Sequence, residues 1–385
     1  MLRIIGSTDP ATGGPIEGLL RTSHVMAGLG CRNEVVCLDR PSDPWLKGFP
    51  LPVFALGPGL GRYGYTPALR TWLRAHAADY DAAIVHGIWN YSSVGAWRGL
   101  SETRTPYAVF AHGMLDPWFR QANPLKHIAK QAYWLALEGR VLADAYAVLF
   151  TTEMERLSAR GVFFGARFKE RVVAYGAADA PSGGSGQTEA FRAALPALGQ
   201  RPYLLFLSRI HPKKGCDILL AGYAHAAARS GMDLVIAGPD QTGLQRELVR
   251  MADRLGISAR VHWPGMLSGD VKWGALRGAE AFVLPSHQEN FGIAVAEALA
   301  AGTPVLISDK VNIYNEVRDG GGGMVAADTA DGVADLFRRF LDLDGDARGR
   351  MRLAARRLFL ERFDVRMAAR DLIALADDMR RSVRR

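Results

Sequence analysis

The sequence is poor in the features that mark secreted, zinc-binding and membrane-spanning chains. It has 3 cysteines among 385 residues, and they form neither a zinc-ligand spacing nor an even disulfide set. This scarcity favours a reducing compartment. No apolar run approaches the roughly 18 to 20 residues that a membrane helix needs, and no signal segment precedes the apolar residues 2–6. We therefore expect a cytoplasmic protein, either free or peripheral on the inner face of the cell membrane.

Signs of a nucleic-acid-binding protein are also missing. The formal net charge is +8, and much of the arginine lies in the C-terminal part of the chain. These arginines are mixed with acidic residues at helical spacing, which is typical of solvated helix faces. No basic stripe with interleaved aromatic residues accompanies them. We expect no nucleic-acid partner, which leaves anionic lipid or phosphorylated substrates to account for the basic charge.

Short apolar stretches alternate with helical ones along the whole chain, which predicts an α/β fold with mainly parallel sheets. Strands are expected at 2–6, 34–38, 82–86, 107–111, 146–151 and 171–174, and then at 203–207, 234–237, 260–263, 281–284 and 304–307. Residues 177–187 are small, polar and rich in glycine, which predicts a linker. The sequence thus predicts two Rossmann-like halves with a ligand-binding cleft between them.

Two glutamates follow the strand expected at 281–284. Glu289 lies in a polar loop, and Glu297 lies inside an alanine-rich helix that Gly302 and Pro304 end. A carboxylate among apolar residues is costly to bury without a partner. Two of them in one strand-to-helix crossing indicate a polyhydroxylated ligand at the carboxyl end of the sheet. The alternatives are a solvent-facing helix position for Glu297 and an ordinary loop position for Glu289.

Two basic residues, Arg209 and Lys214, follow the strand expected at 203–207. Two fixed cations at a strand end can stabilise negative charge that develops on a phosphate group. Exposed loop residues are the alternative interpretation. Lys213 could take the place of Lys214, although the following Gly215 favours Lys214.

The segment Asn290-Phe291-Gly292 leads into the alanine-rich helix, so the free N–H groups and positive dipole end of that helix would face the same place. Gly292 would allow close backbone approach to a ligand, or would serve a plain turn. In the first half, Gly13 and Gly14 follow the first strand and permit a similar approach, although no complete G-x-G-x-x-G is present.

Another candidate site residue of the first half is His112, which directly follows the strand expected at 107–111. The alternative is that this histidine has only a structural role. Further along, aromatic and basic residues cluster in one region, and either an interfacial surface or an amphipathic helix packed on its own domain would account for them. These residues are Trp118, Phe119, Arg120, Lys126, His127, Lys130 and Trp134.

Together these motifs resemble the retaining glycosyltransferases of the GT-B fold, family GT4 (glycosyltransferase group 1), of the polysaccharide-assembly type. Glu289 and Glu297 match the family's Glu-x7-Glu signature, and 208–215 is similar to its Arg…Lys-Gly phosphate clamp. The stretch 111–118 is similar to a His-Gly-Met-Leu-Asp-Pro motif, and 151–155 matches a Thr-x-Glu-x-Glu run. The order and spacing agree along nearly the whole chain.

The resemblance implies a GT-B architecture, with parallel sheets of two Rossmann-like domains facing across a cleft. The acceptor domain would span 1–178, the donor domain 179–362, and a helix at 363–385 would return to the first domain. Catalytic roles would fall to His112, Arg209, Lys214 and Glu289. The donor would be bound by Gly13, Gly14, Arg209, Lys214, Asn290, Phe291, Gly292 and Glu297.

The implied activity is retaining transfer of a hexose, mannose or glucose, from a GDP- or UDP-linked sugar to a glycan or lipid-linked acceptor in surface polysaccharide assembly. No metal and no other cofactor are expected. The rivals are a nucleotide-sugar-binding protein without turnover and a GT-B epimerase. One departure stands out: residues 174–177 read Ala-Tyr-Gly-Ala where Pro-Asn-Gly is usual, which leaves the hinge geometry open.

Overall fold

The computed structural model describes residues 1–117, 124–228 and 230–383. The chain divides into two compact units, one formed by Met1–Gly176 with Val365–Arg385 and the other by Ala177–Asp364. The boundaries expected from the sequence, after 178 and after 362, lie two residues from these. In the part that the structure describes, no helix is both long and apolar enough to span a bilayer.

Unit 1 is built on a parallel sheet of seven strands in the order β3-β2-β1-β4-β5-β6-β7. The strands are β1 Leu2–Ile5, β2 Glu34–Cys37, β3 Val53–Ala55, β4 Ala83–His86, β5 Tyr107–Phe110, β6 Val148–Phe150 and β7 Glu170–Val172. The central strands are buried on both faces, which is why they read as continuous apolar runs.

In the described part of unit 1, six α-helices connect these strands: α1 Gly14–Gly28, α2 Pro67–His76, α3 Tyr91–Leu100, α4 Pro124–Tyr133, α5 Gly139–Asp144 and α6 Glu153–Ala159. Gly13 begins α1 with a φ of 84°, a conformation that favours glycine. A π-helical turn, Trp134–Glu138, joins α4 to α5. Apolar clusters cover both faces of the sheet, so the polar loops are left to its edges.

Unit 2 has a parallel sheet of six strands in the order β10-β9-β8-β11-β12-β13. The strands are β8 Tyr203–Leu207, β9 Asp233–Ala237, β10 Val261–Gly265, β11 Ala281–Leu284, β12 Val305–Ser308 and β13 Gly323–Ala326. Its helices are α7 Gly184–Ala194, α8 Cys216–Ala226, α9 Gln245–Arg254, α10 Gly269–Gly278, α11 Ile293–Ala300, α12 Tyr314–Asp319, α13 Ala330–Leu341 and α14 Gly345–Leu358.

The chain leaves unit 2 through a π-helical turn, Phe359–Phe363, and an extended Asp364. The last helix, α15 Val365–Val383, belongs to unit 1, where Leu372, Leu375 and Met379 are buried against the sheet. The Asp371 carboxylate accepts a hydrogen bond from the Ala174 amide at 2.8 Å and ties α15 to the end of unit 1.

Two parallel α/β halves are confirmed, with three corrections in detail. Both strands missed from the sequence, β3 and β13, are sheet edges whose residues are only partly buried, so their apolar pattern is weak. The expected linker at 177–187 is also wrong over its last residues, since α7 begins at Gly184. Gln187 is buried there, where its amide donates to Asp270 at 2.9 Å and accepts from Arg277.

Candidate functional site

In unit 2 the strand order reverses between β8 and β11, which are neighbours in the sheet. Loops that leave the carboxyl ends of such strands diverge, and the crevice between them is where open α/β sheets bind ligands. Gly215 brings the two loops together, because a Cβ on it would lie 2.4 Å from the Pro285 carbonyl oxygen. Its φ of 66° is also one that glycine adopts readily.

The loops meet at an ion pair between Lys214 and Glu289. The Lys214 side chain is 11% exposed and the Glu289 side chain 20% exposed, so both charges are largely withdrawn from water while remaining reachable. The Glu289 backbone is held on both sides, since its amide donates to Lys310 at 3.0 Å and its carbonyl accepts from Asn312 at 3.0 Å. The structure therefore unites two of the predicted site residues.

Arg209 and Lys213 take different positions. Arg209 is exposed, and no ion pair to it is found in the described part of the chain. Lys213 donates to the Gln288 side chain at 3.2 Å, whereas its neighbour Lys214 is the buried lysine of the loop. Of the two lysines left open by the sequence, Lys214 is the one held against Glu289.

The N-terminus of α11 lies directly after this loop. Gly292 precedes the helix with φ 80°, and a Cβ on it would crowd Val295 and Glu289 at 3.1 and 3.3 Å, so the turn itself favours glycine here. Phe291 is 5% exposed and packs edge-on against Phe363, which makes it a core residue rather than an open ligand surface.

Asn290 and Glu297 continue the site along the chain. The Asn290 amide oxygen lies 3.5 Å from the Asn312 amide nitrogen, at the long end of hydrogen bonding. Glu297 is 5% exposed within α11 and accepts from the Lys272 ammonium of α10 at 3.0 Å. A carboxylate in an apolar helix needs a partner, and Lys272 is the partner that sequence reasoning missed.

In unit 1 the corresponding reversal lies between β1 and β4. A cavity of about 470 Å³ opens there, and Ser7, Asp39, His86 and Asn90 are among its lining residues. The Asp39 carboxylate accepts from the amide and hydroxyl of Thr8, each at 2.7 Å. Burial opposes its ionisation, but hydrogen bonds from the Ser7 side chain and from Thr8 hold the pKa of Asp39 low.

The two predicted glycines, Gly13 and Gly14, stand at the start of α1. A Cβ on either would meet no atom within 4 Å. The positive φ of Gly13 explains that glycine, but the described residues give no steric reason for glycine at position 14. Their neighbours Thr12 and Pro15 line the cavity.

His112 follows β5 in an unusual conformation, with a φ of 49°. Its ring stacks on Phe110 with a centroid distance of 4.8 Å, and its Nε2 lies 3.0 Å from Nδ1 of His86. Burial, together with the charge of Arg3, lowers the pKa of His112 to about 3. At neutral pH His112 is therefore a neutral hydrogen-bonding group.

The Thr-x-Glu-x-Glu run holds the turn after His112. Glu155, 5% exposed, accepts from the Gly113 amide at 2.7 Å and from the Thr151 amide and hydroxyl, each at 2.7 Å. One carboxylate thus links the ends of β5 and β6. The sequence signalled this residue only through the motif, and it gave no signal for Arg3 or His86.

Among the described residues, no group of three or more His, Cys, Asp or Glu side chains could hold a metal ion. Asp344 has a local structural role: it caps the N-terminus of α14 and accepts from the Ala347 amide at 2.7 Å. Metal-independent chemistry stays a prediction.

Both halves of the chain match family models of glycosyltransferases. Residues 187–358 match the family model described as glycosyl transferases group 1, and residues 13–176 match the glycosyl transferase 4-like domain. A D-inositol 3-phosphate glycosyltransferase of Nocardia farcinica is 32% identical over 283 residues, which cover 70% of this chain and 61% of the relative. One from Mycobacterium bovis is 37% identical over 177 residues, 44% of this chain and 36% of the relative. The chain therefore matches less than two thirds of these relatives' lengths.

Solved structures match over the whole chain. Sucrose-phosphate synthase of Thermosynechococcus elongatus has a TM-score of 0.77 at 19% identity and covers 99% of both chains. HepE of Anabaena, solved in complex with UDP and glucose, also has a TM-score of 0.77 at 19% identity, over 98% of this chain and 99% of its own. At such identities the likeness shows the fold alone. With both halves matched by glycosyltransferase models and the fold by GT-B structures, the chain belongs to the GT-B glycosyltransferases of group 1, consistent with the GT4 resemblance of its motifs.

Proposed function

We propose that this protein is a retaining, metal-independent hexosyltransferase that uses a nucleoside diphosphate sugar. The observation that carries the proposal is the Lys214–Glu289 pair at the strand reversal of unit 2, beside the N-terminus of α11. A diphosphate offers Lys214 a stronger anionic partner than one carboxylate, and Glu289 would then be released to accept from sugar hydroxyls.

Positive charge for the leaving diphosphate would come from the protein itself. Lys214 supplies a largely buried cation, Arg209 an exposed one that can reach toward a ligand, and α11 the N–H groups of its first turn. This set replaces the charge that a metal would otherwise provide. A reaction that continues unchanged in excess EDTA supports this part of the proposal.

Glu297 is proposed to accept hydrogen bonds from the ribose hydroxyls of the donor nucleotide. Its carboxylate is oriented by Lys272, and a carboxylate is an acceptor that suits the two hydroxyls of a diol. UDP-glucose is the donor to test first, because it is bound in a structure of HepE of Anabaena. GDP-mannose is the second, and thermal shift separates the two since only a bound ligand stabilises the native protein.

The acceptor is proposed to bind in the cavity of unit 1 lined by Asp39, Asn90 and Ser7, whose polar groups suit hydroxylated molecules. A glycan or lipid-linked saccharide is the first class to test. The name of the Nocardia relative adds D-inositol 3-phosphate as a second. His112 is proposed to contact the transferred hexose.

The decisive experiment combines binding with turnover. Protein is screened by thermal shift against UDP, GDP, UDP-glucose and GDP-mannose, and the stabilising donor is incubated without and with acceptors. Nucleotide release, and a product with the donor's anomeric configuration by NMR, support a retaining transferase. Donor binding without nucleotide release for any acceptor favours the binding protein instead, and a changed sugar released with the nucleotide favours the epimerase.

Peripheral membrane contact is a separate proposal for unit 1. On α4, Leu125 is 82% and Ile128 66% exposed, and Phe164, tied to α4 by Gln131, is 68% exposed. Lys126 lies on the same helix and adds charge that anionic lipid attracts. Of the expected cluster, Trp134 is buried instead, and Trp118, Phe119 and Arg120 fall outside the described residues.

A further inference from the structure

Arg3 is a charged side chain at the centre of the sheet of unit 1, with 0% of it exposed. Its Nε donates to the Asn33 amide oxygen at 3.0 Å and its Nη2 to the Thr22 hydroxyl at 3.3 Å, while Nη1 lies 3.5 Å from Nε2 of His86. Among the described residues, no carboxylate forms an ion pair with it. Burial lowers the pKa of Arg3 to about 10, so the guanidinium stays charged at neutral pH.

Arg3, His86 and His112 form a row of side chains, and only one assignment of the ring protons of the two histidines gives each contact one donor and one acceptor. A guanidinium has N–H donors and no acceptor, so the nitrogen of His86 that faces it must present a lone pair. The proton of a neutral His86 then sits on Nδ1, which lies 3.0 Å from Nε2 of His112. That nitrogen must accept, and the proton of a neutral His112 sits on Nδ1.

Both rings are neutral at physiological pH for the same physical reason. Burial and the charge of Arg3 lower the pKa of His86 well below its ordinary value and that of His112 as well. Other titratable groups near these side chains include Tyr175, which lines a small cavity together with Arg3, His86 and His112, and Cys31, whose charge would act on Arg3. Glu155 also lies here, and its oxygens accept from the Gly113 and Thr151 amides.

We propose that Arg3 is a positioning residue: acting through His86, it fixes the ring tautomer of His112, so that His112 offers an Nδ1–H donor to its ligand. The nature of that ligand, a hydroxyl oxygen of the donor hexose, rests on the proposed function; the tautomer does not. Glu155 complements Arg3, because it holds the turn after His112 while Arg3 sets the protons of the ring.

This arrangement decides what His112 can recognise. The structure records no protein partner for Nδ1 of His112 among the described residues, and the residue as a whole is half-buried. An Nδ1–H donor suits a hydroxyl or ester oxygen, whereas a bare nitrogen would need a donor from the ligand. The buried charge of Arg3, acting through His86, therefore determines whether His112 donates or accepts the hydrogen bond to its ligand.

The wild-type protein tests the proposal directly. Histidine labelled with ¹⁵N distinguishes the Nδ1–H tautomer, the Nε2–H tautomer and imidazolium by NMR, and the signals of His86 and His112 are assigned from His86→Gln and His112→Gln. We expect both rings as neutral Nδ1–H tautomers at pH 7. An Nε2–H tautomer or an imidazolium at His112 overturns the proposal, whatever the variants do.

Substitutions at Arg3 test the cause. Arg3→Lys keeps a side chain that only donates, so the tautomers should persist. Arg3→Gln brings an amide oxygen that can accept from His86, so the Nε2–H tautomer should appear in both rings. Met26→Leu, which alters another neighbour of Arg3 but no charge, should leave both rings unchanged. Folding of each variant is checked by thermal unfolding, and unchanged tautomers in folded Arg3→Gln overturn the role of Arg3.

Turnover separates this proposal from the proposed function. With UDP-glucose as the probe, Arg3→Gln should lower kcat/KM by about tenfold, the size of one hydrogen bond, while Arg3→Lys loses less. Tautomers that behave as expected while His112→Gln keeps full turnover support the role of Arg3 and remove His112 from the hexose site. A tautomer shift in Arg3→Gln without any change in turnover would show that the tautomer of His112 does not affect catalysis.

Discussion

The two units treat buried charge in opposite ways. In unit 1 the buried charges are held by neutral dipoles: an amide and a hydroxyl accept from Arg3, and a hydroxyl and a backbone N–H donate to one oxygen of Glu138. In unit 2 they are satisfied by opposite charges: Lys214 with Glu289, and Glu297 with Lys272.

These two kinds of buried charge differ in how they can respond to a bound ligand. A cation held by a carboxylate can exchange that carboxylate for a phosphate of equal sign, so a paired charge suits the binding of an anion. A charge held by neutral dipoles has no such partner to exchange. It instead sets the orientation and protonation of its neighbours, as Arg3 does for His86 and His112. Unit 2 thus carries exchangeable charges and unit 1 carries fixed ones.

The largest effect is expected from removing an exchangeable cation. Lys214→Ala should lower kcat/KM for donor turnover by about 10²- to 10³-fold, the loss typical of one preorganised group facing a developing negative charge. Lys213→Ala is the matched control, since Lys213 is the neighbouring lysine of the same loop and donates to the neutral side chain of Gln288. Equal losses in the two variants would contradict the assignment of Lys214 to the diphosphate.

A fixed charge of unit 1 should reveal itself through pH. Glu138 is 0% exposed, and burial raises its pKa to about 7 although Ser93 and Trp89 donate to it. A raised carboxyl pKa means that the folded state binds the proton more tightly, so the destabilisation is absent below pH 4.5, grows as pH rises and is complete above about pH 7. Glu138→Gln removes it.

We expect Glu138→Gln to gain about 2–3 kcal/mol over the wild type between pH 4.5 and pH 8, seen as a rise of several degrees in the unfolding midpoint of unit 1. Glu17→Gln, an exposed glutamate on α1, is the control and should show no such trend. A pH-independent difference between Glu138→Gln and wild type would mean that Glu138 ionises normally in the folded protein.

A smaller effect is expected at the second ion pair of unit 2. Lys272→Met leaves the Glu297 carboxylate buried without its ammonium, which should cost about 1–2 kcal/mol because the Lys272 side chain is still 20% exposed and partly screened. The double variant Lys272→Met/Glu297→Gln should recover stability but not nucleotide affinity. Thermal unfolding with and without UDP measures both, and equal stability of single and double variants would show that the pair is not coupled.

The sequence predicted the sheets and three of the four paired charges of unit 2, Lys214, Glu289 and Glu297, but neither buried charge of unit 1. Continuous apolar runs such as 281–284 predict buried parallel strands because the signal is local. Glu289 and Lys214 were found because each follows such a strand. Lys272 could not be found, since a lysine on a helix looks the same whether it faces water or a glutamate on the next helix.

Arg3 was hidden by the strand that contains it. It lies in an apolar run, where an isolated basic residue reads as the outward position of an edge strand. Its burial depends on Asn33, Thr22 and His86, which come from three other parts of the chain. Tyr175 is a similar case: its departure from the family pattern gains a role only where its hydroxyl donates to the Gly14 carbonyl at 3.3 Å, in space that Gly18 leaves free.

The smallest effect is expected at the surface, where the comparison of the units turns from buried charge to exposed apolar side chains. Leu125 and Ile128 on α4 of unit 1 are 82% and 66% exposed, while Leu353 on α14 of unit 2 is 74% exposed. If unit 1 alone contacts the membrane, Leu125→Ser/Ile128→Ser should weaken binding to vesicles of anionic lipid on the order of fivefold, about 1 kcal/mol.

Leu353→Ser is the matched control, because it removes an equally exposed leucine that is also flanked by basic residues. It should leave flotation with vesicles unchanged, and neither change should shift the unfolding midpoint much, since the side chains bury little in the protein. Equal losses for the two variants would mean that any exposed leucine suffices and that α4 is no docking surface. If the wild-type protein does not float with anionic vesicles, the proposal of membrane contact is wrong, and the exposed face of α4 simply faces solvent.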